Sequence, residues 1–551
     1  MTKGSLGASL LSLVTLLLPP AIAQPPAEAL DRVPAPVIAA GDVTANSAVL
    51  WVQTDRAGTV LVELAAPEGG EGVPRRFERR VGADSDFTAK IPVHGLAPGS
   101  VQRWRATVIN TPEPGDPEIE ASESEVGPPA TATPGMSSTQ APDETASQQA
   151  LGSFRTAPDR YAAAPVKLTW GGDLGGQNVC RDAERGFEIF DAIGDVAPDL
   201  FIGAGDMIYA DDACEVVGRY GNAQIPASFV KAADLDGFRA HWRYSRADPA
   251  LRRLLAQTAY YAVWDDHEVV NDFGPLHDTR DDPPYRPGEH LMPLGLKAMF
   301  EQNPIIEDPL TPKRLYRSFR WGQHLELLLL DTRQYRDANL ATDSPERPKT
   351  LLGREQLTWL KQRLALSDAT WVIVVSSVPM SIPTGWPPEA GRDGWADVDG
   401  QRGFEQELRS ILVQAAAHGR GELVFISADV HFGAAFQYLP FADLPGFAVH
   451  ELVAGPLSAG IDSGDTFDRD LGAERLFLHA PESREAVTDY DEARRWFSFG
   501  ELGIDAAGEL TAMLRGVDGA PLYTLRLTPA TSTRLAASGP MSCAAGPLGP
   551  N

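Results

Sequence analysis

The residues able to do chemistry in this 551-residue chain stand directly after short apolar runs. Gly171-Gly172-Asp173 follows Lys167-Leu168-Thr169-Trp170. Gly205-Asp206-Met207-Ile208-Tyr209 follows Leu200-Phe201-Ile202-Gly203-Ala204. Trp264-Asp265-Asp266-His267-Glu268 ends the run that begins at Tyr260. Ser427-Ala428-Asp429-Val430-His431 follows Leu423-Val424-Phe425-Ile426. A single aspartate after a strand is usually a turn or helix-cap residue. Four such ends carrying two of the chain's ten histidines point elsewhere. Open α/β sheets gather their ligands at the carboxyl ends of strands, where the loops converge. Carboxylates crowded together repel one another, so the arrangement calls for cations. His94, His241, His418 and His479 lack this context and are expected to be ordinary surface or core residues.

The elements that must position these loops alternate between strand and helix from Val166 onward, the pattern of sheets buried between helices. Further strands are expected at Leu325–Leu330 and Trp371–Val375. Arg354–Leu366 reads as a helix, and Leu235–Ala256 as two helices separated at Pro249. Residues 509–528 read as a closing hairpin about Asp518-Gly519. Ahead of this region, Ala48–Val52, Val60–Leu64 and Val101–Val108 read as strands of a small β-sandwich. Gly152–Thr156 completes it. The Pro-, Glu-, Ser- and Thr-rich stretch 111–149 is then a low-complexity insertion in a hairpin, a form of lengthening that costs little closure entropy. The division expected is 1–23, 24–160, 161–528 and a loose tail at 529–551.

Lys3, the apolar stretch Leu6–Leu18 and Ala21-Ile22-Ala23 form a Sec-type signal peptide without a twin-arginine pair. It implies a periplasmic or extracellular protein with no stable membrane insertion after cleavage. In such an oxidising compartment Cys180 and Cys214 are placed to pair, leaving Cys543 in the tail. The formal net charge of −27 disfavours nucleic acid and anionic membranes as partners.

The motifs Gly205-Asp206-x-x-Tyr209, Trp264–Glu268, Asp331-Thr332-Arg333 and Ala428-Asp429-Val430-His431 together resemble the PhoD-like alkaline phosphatases of the calcineurin-like metallophosphoesterase superfamily. Leu352-Gly353-x-x-Gln356-Leu357-x-Trp359-Leu360 and Ala454-Gly455-Pro456-Leu457 add to the likeness. The resemblance runs from Val166 to about Leu527. It implies a four-layer α-β-β-α sandwich preceded by a fibronectin type III or immunoglobulin-like all-β domain. The activity it implies is hydrolysis of phosphoesters by in-line attack of a metal-bound hydroxide. A phosphodiesterase or phospholipase D-like activity is the alternative, and a non-catalytic surface-binding protein a more distant one.

The resemblance also implies roles. Asp206 would bridge two metals, Tyr209 would bind iron as phenolate, and Asp173, Asp266, Asp429 and His431 would complete the ligand set. His267 would be the acid that protonates the leaving oxygen. Asp265, Glu268, Asp331 and Arg333 are candidates for supporting contacts or for touching phosphate. Asp173 stands where such relatives can use a cysteine, and Asp429 where others have histidine. Leu174-Gly175 replaces the x-His of the usual first motif, and Ser377–Met380 replaces a strand-end histidine. Hard cations, Fe(III) with Ca(II) or else Mn(II), are therefore expected over zinc.

Overall fold

The computed structural model describes residues 36–66, 73–109, 148–274, 288–385, 391–397, 403–419, 423–464 and 466–529. The expected signal peptide, most of the 111–149 insertion, Cys543 and nearly all of the tail lie outside them. Seven strands come first: β1 (Val37–Gly41), β2 (Ser47–Gln53), β3 (Gly58–Leu64), β4 (Arg75–Val81), β5 (Thr88–His94), β6 (Val101–Ile109) and β7 (Gln148–Arg155). Strand and helix then alternate: β8 (Val166–Gly171), α1 (Ile189–Asp195), β9 (Leu200–Ala204), α2 (Leu235–Arg246), α3 (Pro249–Gln257) and β10 (Ala259–Val263). Next come α4 (Gly288–Gln302), β11 (Arg317–Trp321), β12 (Leu325–Leu329), α5 (Gly353–Leu366), β13 (Trp371–Val375), α6 (Glu405–Ala417) and β14 (Leu423–Ser427). The chain closes with β15 (Gly433–Tyr438), β16 (Val449–Val453), β17 (Ala473–His479), α7 (Tyr490–Ala493), β18 (Ser498–Ile504), β19 (Leu510–Gly516) and β20 (Pro521–Leu527).

Local chemistry explains several of these boundaries. Asp248 caps α3 by accepting from the N–H groups of Ala250 (2.9 Å) and Leu251 (3.0 Å). Pro249, at the first turn of that helix, needs no N–H partner. Asp234 caps α2 in the same way through Gly237. Strands β9, β10, β12, β13 and β14 are buried at every position, as apolar runs covered on both faces must be.

The strands form a nine-stranded sheet (β20-β19-β18-β8-β9-β10-β1-β2-β5), a seven-stranded sheet (β11-β12-β13-β14-β16-β15-β17) and a four-stranded one (β4-β3-β6-β7). One apolar cluster joins the two large sheets, bringing Trp170, Ile202 and Val263 together with Leu329, Val375 and Ile426. A second cluster links the other side of β9 and β10 to α1–α4 through Phe201, Tyr260, Phe238, Trp242 and Leu254. A third links β12 and β13 to α5 and α6 through Leu328, Val374, Leu360 and Leu408.

The N-terminal strands share a core across two sheets, Leu50 and Ile91 with Val62, Trp104 and Phe154, but the first of those sheets does not end with them. β1 pairs in parallel with β10, Ala40 opposite Ala259, so β1, β2 and β5 extend the large sheet. The reason is edge pairing: without β1, the fully buried β10 would present an unpaired row of backbone N–H and C=O groups. Only β3, β4, β6 and β7 form a sheet of their own.

Candidate active site

The same spacing recurs at six strand ends. Asp173, Asp206, Asp265, Asp331, Ser377 and Asp429 each stand two residues beyond the last residue of β8, β9, β10, β12, β13 and β14. β8, β9 and β10 run parallel to one another, and so do β12, β13 and β14, so each set delivers its loops at one end. Asp173, Asp206, Asp429 and His431 adopt left-handed backbone (φ 62°, 53°, 74° and 57°). Such conformations cost energy and gather where a site needs them. Gly205 precedes Asp206 with φ +107°, and a Cβ there would lie 2.7 Å from Cβ of Asp265. The glycine of this Gly-Asp pair is what lets the two loops touch.

Carboxylate oxygens of Asp206, Asp265, Asp266 and Asp429 lie within 4.8 Å of one another. Asp173 joins them, its Oδ1 accepting from the Asp429 N–H at 3.2 Å. Asp173, Asp206, Asp265 and Asp266 are buried, and Asp429 is partly exposed. The Oδ2 atoms of Asp173, Asp206, Asp265 and Asp429 have no hydrogen-bond partner among the described residues. Burial raises the pKa of Asp206 well above the carboxylate range, and Asp266 and Asp265 raise it further. Burial and Asp265 do the same to Asp173 and Asp429. Burial lifts Asp265 to about 6 against the opposing pull of Arg333. Asp266 falls to about 2, because Arg333 and His267 outweigh its burial. Unpartnered buried oxygens whose charge is this costly fit cations, and oxygen donors fit hard ones.

Two histidines flank the carboxylates with opposite electrostatics. His431 donates from Nδ1 to the Gly460 carbonyl (2.7 Å), which makes Nε2 an acceptor, here for the Tyr209 hydroxyl. That atom lies 2.7 Å from the Tyr209 hydroxyl and 3.8 Å from Asp173 Oδ1. Burial lowers the His431 pKa to about 4, keeping it a neutral donor suited to a metal. His267 stacks on the Tyr209 ring with centroids 4.0 Å apart. Its Nδ1 meets Asp211 Oδ1 at 2.7 Å, and Asp211 Oδ2 accepts from the Asn271 N–H at 2.9 Å. Burial opposes charge on this imidazole, but Asp211 and Asp266 prevail and hold its pKa at about 10. Burial and the surrounding carboxylates push the Tyr209 phenol well above its ordinary value, so a phenolate there requires a highly charged cation.

The remaining sequence candidates lie one layer behind. Glu268 is fully buried and accepts three backbone N–H groups, from Met207 (2.8 Å), Asp206 (3.0 Å) and Asp265 (2.8 Å). It straps the β9 loop to the β10 loop. Arg333, also fully buried, donates Nε to Asp265 Oδ1 (2.5 Å) and Nη1 to Asp393 Oδ2 (2.9 Å). Asp331 Oδ1 takes the Trp264 indole N–H and the N–H groups of Arg333 and Gln334, so it organises a turn. Asp211 and Asp393 were not picked out from the sequence, and Ser377, which donates to Asp265 Oδ1 at 2.8 Å, was noted only as standing in place of a strand-end histidine. Asp211 carried a signal all the same: it is the next acid after Tyr209 in the same loop. Asp393 carried none, for it follows no strand. Cys180 and Cys214 form a disulfide with Cα atoms 5.8 Å apart.

Fold and site together define a mixed α/β protein with a carboxylate-lined cation crevice at the ends of its parallel strands. A profile of the PhoD-like phosphatase family matches residues 173–511, more than half of the chain. The chain belongs to that family. Alkaline phosphatase D of Bacillus subtilis (strain 168) is 26% identical over 253 residues, which cover 42% of this chain and 41% of that relative. The chain thus matches well under half the length of that curated protein. A solved structure described as that of PhoD superposes with a TM-score of 0.64 at 18% identity, covering 89% of this chain and 88% of the other. That likeness speaks to the fold.

Proposed function

We propose that this chain is an exported, metal-dependent phosphoester hydrolase of the alkaline phosphatase type. The observation that carries the reading is the convergence of unpartnered buried oxygens on one crevice beside a histidine paired to a carboxylate. Asp173, Asp206, Tyr209, Asp266, Asp429 and His431 would hold the cations, with Asp206 between two of them. Fe(III) with Ca(II), or Mn(II), suits a set rich in oxygen. When bound, the cations supply Lewis acidity toward water and the phosphoryl oxygens. The chain's own residues do the rest. Asp211 fixes the His267 ring with Nδ1 toward itself, which leaves Nε2 as the proton donor to the departing alkoxide. Arg333 and Ser377 hold Asp265, while Glu268 holds the backbone that carries Asp206.

The packing clusters support a four-layer α-β-β-α arrangement, and the β1–β10 pairing supports a bracing role for residues 24–160. The disulfide supports an oxidising compartment, periplasmic or extracellular. No helix among the described residues is long and apolar enough to cross a membrane. The test is metal analysis of the purified protein with a phosphomonoester and a phosphodiester assayed side by side. Hydrolysis that chelation abolishes and metal restores is expected. Inert protein fully loaded with iron and calcium, or with manganese, would refute the proposal, and the rate ratio decides between monoester and diester.

A further inference from the structure

In a chain of net charge −27, the sequence Arg75-Arg76-Phe77-Glu78-Arg79-Arg80 carries four cations and one anion. It forms β4, an edge of the four-stranded sheet, and its residues are exposed except Phe77, which is half-buried, and Val81. Strand registers place the outward side chains in rows. Arg76 lies opposite Glu63, Glu63 opposite Arg105, and Arg105 opposite Leu151. Glu63 is shared: it accepts Arg76 Nε at 2.9 Å and Arg105 Nε at 3.0 Å, so the row keeps an excess positive charge. Arg80 stands on the same face two rows on, with Glu78 in the row between, so this face keeps a smaller net positive charge than the strand as a whole. Apolar side chains are interleaved on the same sheet, with Leu151 75% exposed and Ile109 44% exposed.

We propose that this face docks the protein peripherally onto an anionic lipid surface. Basic side chains meet phosphate-bearing headgroups, while exposed aliphatics enter the headgroup boundary. A soluble polyanion would have no use for Leu151 and Ile109. Protecting an edge strand from aggregation needs charge of either sign, and in this acidic protein Arg76 and Arg80 on β4 beside Arg105 are not the default choice. The acidic remainder of the surface repels such a membrane, but beyond roughly 10 Å at about 0.1 M salt it is screened, so the local patch decides. Docking is then reversible and weakened by salt, with no segment inserted.

The experiment is sedimentation of the full chain with phosphatidylcholine vesicles, with and without phosphatidylglycerol. Binding to the anionic vesicles alone is expected. It should fall at least about tenfold in a variant carrying Arg76→Glu and Arg80→Glu, and severalfold in Leu151→Ser. Phosphoesterase turnover of a soluble ester should stay at the wild-type level in both, reporting an intact fold. Equal binding to both vesicle types, or none, overturns the proposal. If Leu151→Ser binds like wild type and inorganic polyphosphate displaces the protein, the ligand is a soluble polyanion and the lipid proposal fails. Residues 110–147, which join β6 to β7, contain eight acidic residues and no lysine or arginine. A variant lacking 111–146 should therefore bind at least as well; loss of binding would locate the contact there and overturn the assignment to the sheet.

Discussion

Replacing Asp211 by Asn removes one charge and keeps the shape, so it tests the proton-donor reading of His267 directly. In the native arrangement both Asp211 oxygens are in use, one on His267 Nδ1 and one on the Asn271 N–H. An asparagine can satisfy only one of these as acceptor. Its amide must then oppose the Asn271 N–H or turn toward Nδ1 and disfavour the imidazolium. Asp211 is the largest of the influences that raise the His267 pKa, which stands at about 10. Losing it moves the alkaline limb of the pH profile downward: the donor is protonated below its pKa and lost above it, so activity should fail at lower pH in the variant. General acid catalysis is worth about 10²–10⁴ in rate. A loss of about 10²–10³ in kcat, or about 3–4 kcal/mol, is expected for alkyl phosphoesters, whose leaving groups need the proton. Esters of acidic phenols, which leave without help, should be affected far less. Because Asp211 belongs to none of the carboxylate groups that could hold the ions, metal content should be unchanged. Equal losses for both leaving groups, or a loss of bound metal, would refute the reasoning.

Glu268→Ala should lower stability to urea by about 3 kcal/mol or more, since three buried N–H groups lose their acceptor; an unchanged midpoint would mean Glu268 does not strap these loops. Burial raises the Glu451 pKa from 4.5 to about 7, against hydrogen bonds from Tyr438, the Met380 N–H and Ser427. Because the folded value is the higher one, its contribution is complete below about pH 4.5 and is lost as pH rises through 7. Unfolding measured across that window should therefore show wild type losing about 3 kcal/mol relative to Glu451→Gln; parallel curves would contradict the burial argument. Chelation should lower the melting temperature and cations restore it, the stabilisation being about 2.7 kcal/mol at a hundredfold excess over Kd. A midpoint indifferent to both would mean that the unpartnered carboxylates bind no ion.

The strand-end acids were legible because apolar runs announce buried parallel strands, and several acids just past such runs, with two histidines among them, point to one crevice although each alone could be a turn residue. The break at Pro249 and the hairpin about Asp518-Gly519 were legible for local reasons of the same kind. What escaped the sequence was set by contacts distant along the chain. Arg333 looked as able to touch phosphate as to support a neighbour, and only its burial between Asp265 and Asp393 distinguishes the two. The short apolar run Val37–Gly41, buried at every position, does not say which strand it pairs with; its partner β10 lies too far along the chain to be read locally.

That pairing bears on how the molecule assembles. Ala40 finds its neighbour Ala259 more than two hundred residues later. Whatever the N-terminal strands gain among themselves, β1 cannot reach its final place until β8, β9 and β10 exist beside it. A chain emerging amino end first would carry that strand half-paired through much of its synthesis, and contacts so remote in sequence slow the late steps of folding. The protein is thus closed like a belt, its first buckle fastened to a strand near the middle. A cut anywhere between the two would leave the ends clasped, while removal of the opening forty residues would expose the edge of β10 that faces away from β9.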